Sequence, residues 1–210
     1  MCTALEVGGL TPSLGLIQTA LHKYKLETHV LIRPRAGNFC YSSDEKETML
    51  QDIHALQQFG DIGGFVVGAL NSKKEIDQEW LLEVIKIAPN SCFTFHRAID
   101  EVVCWADAIE TLIKLKFHRV LTSGQKTSVL EGVAVIQEMK KLAANRIEIM
   151  CGGGIVSEDI PLIFKNPISD AVHFSGSVKL EDQNNHLFQS NRLVVDENKI
   201  ESILSALRSI

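Results

Sequence analysis

Residues 91–100 read SCFTFHRAID. Cys92-Phe93-Thr94-Phe95 has the composition of a buried strand, but the run ends on His96 and Arg97, with Asp100 just beyond. A strand that leaves an apolar core on an imidazole, a guanidinium and a carboxylate predicts that its end opens into a polar mouth. Other strands must then end in the same place.

Comparable apolar runs occur at HVLIR (29–33), GFVVGAL (64–70), HRVLTS (118–123), RIEIMC (146–151) and DAVHFS (170–175), with room for one crossover helix between each pair. Continuous apolar runs, rather than strict alternation, mark strands buried on both faces. Helix start signals fall between them. Thr11-Pro12 offers a capping hydroxyl and a first-turn proline, and Ser42 with Glu45 and Ser128 with Glu131 have capping-box spacing. Asp77, Ser157 and Asp196 are further cap candidates.

Repeated β-then-α units imply a parallel sheet, closed into a barrel or open and doubly wound. No G-x-G-x-x-G follows a strand, and polar groups end several strands, so a (β/α)8-type α/β barrel is expected over residues 1–210 as one domain. Residues 177–210 are read as a tail with a C-terminal helix. Six strands are legible, and the opening MCTALEVGGLTPS resembles the tail of a strand and its loop. The expectation is a barrel lacking its first strand–helix and most of its second strand, through N-terminal truncation or with a partner chain over the gap.

A net charge of −5 with no dense Lys/Arg stripe argues against nucleic-acid binding. No run approaches the roughly 18 apolar residues of a membrane span, and no signal peptide is recognisable. Five scattered cysteines without C-x-x-C pairing read as free thiols in a reducing cytoplasm.

The strand ends collect the chemistry. They bring together Arg33 and Arg35, then Asn71, then His96, Arg97 and Asp100, then Thr122, Ser123 and Gly124. The last strands add Cys151 with Gly152, Gly153 and Gly154, and His173 with Ser175. Arginines suit an anionic or carboxylate-bearing ligand, and a glycine turn can present backbone N–H groups to it. Arg97 and Asp100 equally suit an ion pair that ties a loop down, and His173 equally suits the core. His22, His54 and His186 are read as surface residues, His118 as lying at the opposite face, and Cys92 and Cys104 as core or helix residues. Cys2 and Cys151, with His96 and His173, have the soft-ligand chemistry of a Cu(I) site, although no local spacing motif supports one.

The ordered motifs RPRAGNFCYS (33–42), GFVVGAL (64–70), FTFHRAID (93–100), RVLTSGQ (119–125), EIMCGGGI (148–155) and VHFSG (172–176) resemble the CutC family. The resemblance implies a TIM barrel, a cytoplasmic location, a homodimer or higher homo-oligomer, and a role in copper homeostasis. It places a copper-associated cysteine at Cys2. Three positions depart from the family pattern: Asn38 replaces an aspartate, Cys151 a proline, and Ala171 an acidic residue.

Two functions follow as expectations. One is a copper homeostasis protein binding Cu(I), with Cys2 as ligand and Cys151 as an additional candidate. The other is an enzyme acting on a small anionic or phosphorylated substrate. In that enzyme Arg33, Arg35, Arg97, Ser123 and Gly152–Gly154 hold the anion, and His96, Asp100 or His173 moves protons.

Overall fold

The computed structural model describes residues 1–60, 62–165, 167–179 and 193–210. Its main sheet has six parallel strands in sequence order: β1 (His29–Leu31), β2 (Gly64–Val67), β3 (Cys92–Phe95), β4 (Arg119–Thr122), β5 (Glu148–Gly152) and β6 (Ala171–His173). Helices α1 (Leu14–Tyr24), α2 (Ser43–Gln57), α3 (Gln78–Ile87), α4 (Trp105–Lys114), α5 (Val129–Ala143) and α6 (Ile160–Lys165) alternate with them. The tail adds an antiparallel pair, β7 (Ser177–Lys179) and β8 (Leu193–Val195), and helix α7 (Glu197–Arg208). His186 lies outside the described residues.

All six expected strands are present, and the sheet curls into a half-barrel wrapped by helices. Met1 extends it past β1: Leu31 N–H donates to Met1 O at 2.9 Å, and the Met1 amino group donates to His29 O. These two bonds lay Met1 alongside β1 without a strand being assigned there, and Thr3 instead bridges Leu10 in the antiparallel sense. At the other edge stands β6, which pairs only with β5 among the described residues.

Most caps fall where the sequence places them. The Ser42–Glu45 box is reciprocal, and Asp77, Ser128 and Asp196 accept from Trp80, Glu131 and Lys199 N–H groups. Thr11 differs: Ser13 caps α1, and the Thr11 hydroxyl exchanges hydrogen bonds with the Arg33 backbone instead. Ser157 begins a 3-10 turn, in which the Asp159 carboxylate accepts from Val156 N–H.

Period-2 alternation decides which strand residues enter the curl. Phe65, Phe93 and Phe95 face the helices, where ring centroids lie 6.2 Å apart for Phe65–Phe93 and 6.0 Å for Phe95–Phe117. Their neighbours Thr94 and His96 consequently point to the inner side, and Gly68 packs against His96 there. Ile17, Met49, Ile53, Leu81, Leu112 and Ile136 complete the outer core between sheet and helices.

Candidate functional site

His96 ends β3 on its inner face and is 5% exposed. Its Nδ1 accepts from Ala98 N–H at 3.1 Å, capping the 3-10 turn Arg97–Glu101. Burial, and after it the Arg33 guanidinium, lowers its pKa to about 3. The ring is therefore neutral at working pH, with its proton on Nε2, and acts as a donor rather than a base. No acceptor meets Nε2 among the described residues. Gly68 makes room for the ring, since a Cβ there would lie 2.4 Å from His96 Cε1.

Arg33 comes from the loop after β1 and is also buried. Its Nη1 donates to Val7 O and Gly9 O, and its Nη2 to Gly37 O, all at 2.9 Å. Three carbonyls thus bind the opening loop to the 33–37 loop, but no carboxylate faces the charge and Nε has no partner among the described residues. Phe39 packs against both this arginine and His96, 5.1 Å from the Arg33 Cζ and 4.8 Å from the imidazole centroid. Tyr41 is buried beside Arg33, and its hydroxyl makes no hydrogen bond of good geometry among the described residues. Burial raises its pKa against the pull of Arg33. Phe39 and Tyr41 lie within the RPRAGNFCYS motif, which assigns neither a role.

Arg35 behaves differently. Its guanidinium grips Glu45, the acid of the α2 capping box, and its Nη2 also donates to Cys40 O. Asn38 stands where the resembled pattern has an aspartate, yet its amide oxygen still accepts from Cys40 N–H at 3.2 Å.

A second cluster joins β3 to β4. Asp100 Oδ1 accepts from Thr122 Oγ1 at 2.6 Å and from Gln125 N–H at 3.0 Å, while Oδ2 accepts from Arg97 Nε at 2.9 Å. Ser123 N–H shares both oxygens. This carboxylate is saturated with donors, so its geometry is that of a loop anchor. Arg97 Nη2 reaches Ser123 Oγ and Lys126 O, and its Nη1 lies beside the glycine turn, 3.5 Å from where a Gly153 Cβ would stand. Gly153 and Gly154 have φ of +133° and +74°, conformations that favour glycine. The structure thus brings Arg97, Asp100, Ser123 and Gly153 together. Asn71 is occupied by its own turn, accepting from Lys73 and Glu75 N–H groups.

His173 is reached by solvent, yet crowding by the chain and then the Met1 amino group lower its pKa. It is neutral near pH 7 and can accept a proton. Cys151 is sealed in the core with Ser169 Oγ 3.1 Å away. Cys2 is half-buried at the edge beside β1, and burial pushes its thiol pKa up. Cys104, expected in the core or on a helix, is exposed at the start of α4. Among the described residues no three His, Cys, Asp or Glu side chains are placed to hold a metal ion. The described helices include none long and apolar enough to cross a membrane.

The model of the CutC family matches residues 1–178. A family protein CutC from Pasteurella multocida (strain Pm70) is 42% identical over 176 residues, 84% of this chain and 72% of that protein. A protein named copper homeostasis protein cutC homolog, from Caenorhabditis elegans, is 37% identical over 179 residues, 85% of this chain and 71% of that protein. A crystal structure of CutC from Streptococcus agalactiae superposes with a TM-score of 0.77 at 33% identity, covering 82% of this chain and 85% of that one. The ordered strand-end motifs, the curled parallel sheet and these likenesses agree: the chain belongs to the CutC family.

Proposed function

We propose that this chain serves copper homeostasis in the cytoplasm and that its working site is the rim where β3, β4 and β5 end, which takes a small anionic ligand. The copper part is supported by the names of its relatives, the cytoplasmic part by five unpaired cysteines. One observation carries the ligand part: Arg97 is held by Asp100 and Ser123 with its Nη1 directed at the Gly153–Gly154 turn. A guanidinium edge beside a glycine turn can offer several donors to one anion. His173, neutral and open to solvent, is the imidazole suited to take a proton if the ligand reacts.

Direct Cu(I) binding is the finer form of the copper reading. Cu(I) favours soft donors, and this chain offers Cys2 as a half-buried thiol beside β1, with Cys151 buried. The described residues do not complete a site around Cys2, so a Cu(I) ion there needs a second soft donor. A second copy of the chain, in a homodimer, is the source this reading implies.

Two titrations test the proposal. Inorganic phosphate should bind the purified chain, weaken as salt rises, and be lost in Arg97→Ala; no binding to the unaltered chain ends the rim reading. Cu(I), titrated into reduced protein against a competing chelator, should bind with dimer stoichiometry and be lost in Cys2→Ala. Failure to compete ends direct copper binding while leaving the rim untouched.

A further inference from the structure

Arg33 is a buried cation with no carboxylate beside it among the described residues. Buried charges are normally paired or neutralised, because an uncompensated one carries a large desolvation cost. The three backbone carbonyls on its Nη atoms satisfy hydrogen bonds but bring no negative charge. Three buried donors are left around it: Arg33 Nε, Tyr41 Oη and His96 Nε2. Each can donate, and Phe39 packs against both the guanidinium and the imidazole.

We propose that Arg33, Tyr41 and His96 form an inner subsite for a small monoanion of carboxylate type, distinct from the Arg97 rim. One guanidinium calls for one negative charge, so a dianion such as phosphate leaves charge uncompensated. A carboxylate has two oxygens with about four acceptor directions, enough for three donors. The Phe39 ring keeps water off the guanidinium face, which strengthens each charge-assisted bond. His96 Nδ1 is committed to Ala98 N–H, which fixes Nε2 as a donor to the ligand. Gly68 is the cradle that lets the imidazole occupy this position. The inner subsite does not depend on the rim reading, and either can fail alone.

The probe is formate, the smallest carboxylate, titrated into the full chain against chloride at equal ionic strength. The expected result is a saturable rise in the thermal midpoint beyond that in chloride, since a ligand held only by the folded state stabilises it. A saturable shift of the His96 Nε2–H resonance should accompany it. Tyr41→Phe, which deletes one donor and almost no volume, should weaken formate by at least about tenfold. Arg33→Lys keeps the charge but removes Nε–H and should weaken it similarly. Arg97→Ala should leave formate binding intact while abolishing phosphate binding at the rim. A midpoint that follows ionic strength alone, with a silent His96 resonance, overturns the subsite and leaves internal water as partner of the three donors. An undiminished formate response in both Tyr41→Phe and Arg33→Lys overturns it equally.

Discussion

Strand β3 feeds two polar clusters of opposite character. At Asp100, Thr122, Ser123, Gln125 and Arg97 all donate to one carboxylate, so the loops after β3 and β4 are locked by matched partners. Around Arg33, the Arg33 Nε, Tyr41 Oη and His96 Nε2 atoms are buried and have no partner among the described residues. Matched polar groups hold a loop in place. Unmatched ones, equally buried, mark where something from outside the chain completes the structure. The contrast separates two devices at the strand end HRAID: a matched cluster that holds Arg97 at the proposed rim, and an unmatched one proposed as the inner subsite.

The contrast breaks first at Asp100. Asp100→Ala leaves two backbone N–H groups, two hydroxyls and Arg97 Nε without their shared acceptor. The expected loss is about 3 kcal/mol or more, read from urea unfolding at pH 7. Asp100→Asn retains an acceptor oxygen and should lose less. A loss within the scatter of neutral surface changes would show that the two loops are held by packing and that the cluster is incidental.

Acid tests the other cluster. His96 is neutral in the folded chain, with its pKa lowered to about 3 from 6.5. The unfolded chain therefore takes up the proton first as pH falls. Stability from this group is complete above 6.5 and is lost progressively as pH drops towards 3. The expected slope approaches 1.4 kcal/mol per pH unit, or roughly 2 kcal/mol between pH 6.5 and 5. His96→Asn keeps an acceptor for Ala98 N–H and should flatten most of that slope. A residue of slope should persist, because the His173 pKa is lowered in the same direction. Identical slopes in both proteins would remove His96 as the acid-sensitive group.

Gly68→Ala presses on the same imidazole by sterics alone. Its Cβ would stand 2.4 Å from His96 Cε1 and 2.6 Å from Nδ1, so the ring must tilt or the backbone must move. The expected cost is about 1 kcal/mol or somewhat more. The displaced Nε2–H should also blunt the formate response, which separates a binding effect from simple overpacking. Full formate affinity in a destabilised Gly68→Ala chain would place the subsite elsewhere.

The fold was legible because buried strands and caps write themselves locally. HVLIR, CFTFHR and DAVHFS declare strands by composition, and Ser42 with Glu45 declares a helix start by spacing. The strand-end rule likewise gathered Arg97, Asp100, Ser123 and Gly153, which the structure brings together. What each residue does there was not legible, because it depends on partners distant in sequence. Asp100 meets its donors more than twenty positions away, at Thr122 and Ser123. Thr11 looks like a cap until the Arg33 backbone is seen to claim its hydroxyl. Tyr41 gives no sign in sequence that it is buried beside Arg33 with its hydroxyl unmet.

The RPR stretch supplies the finest test, because sequence alone gives Arg33 and Arg35 the same role. In the structure Arg33 is buried with no carboxylate beside it among the described residues, while Arg35 is partly open to solvent and bound to Glu45. Screening by solvent makes such a pair weak, and Glu45 keeps its bond to Ser42 N–H when the arginine is gone. Arg35→Ala should therefore lower the urea midpoint less than any change above and leave the formate response intact. The Glu45 pKa is lowered, first by Arg35 and then by the Ser42 backbone. Stability from that group is present above the ordinary glutamate value and is lost as pH falls below it. Arg35→Ala should thus change the acid limb only at the low end, leaving the His96 slope between pH 6.5 and 5 as it was. Loss of formate binding in Arg35→Ala would mean that both arginines serve one site, and the division between architecture and binding would have to be drawn outside RPR altogether.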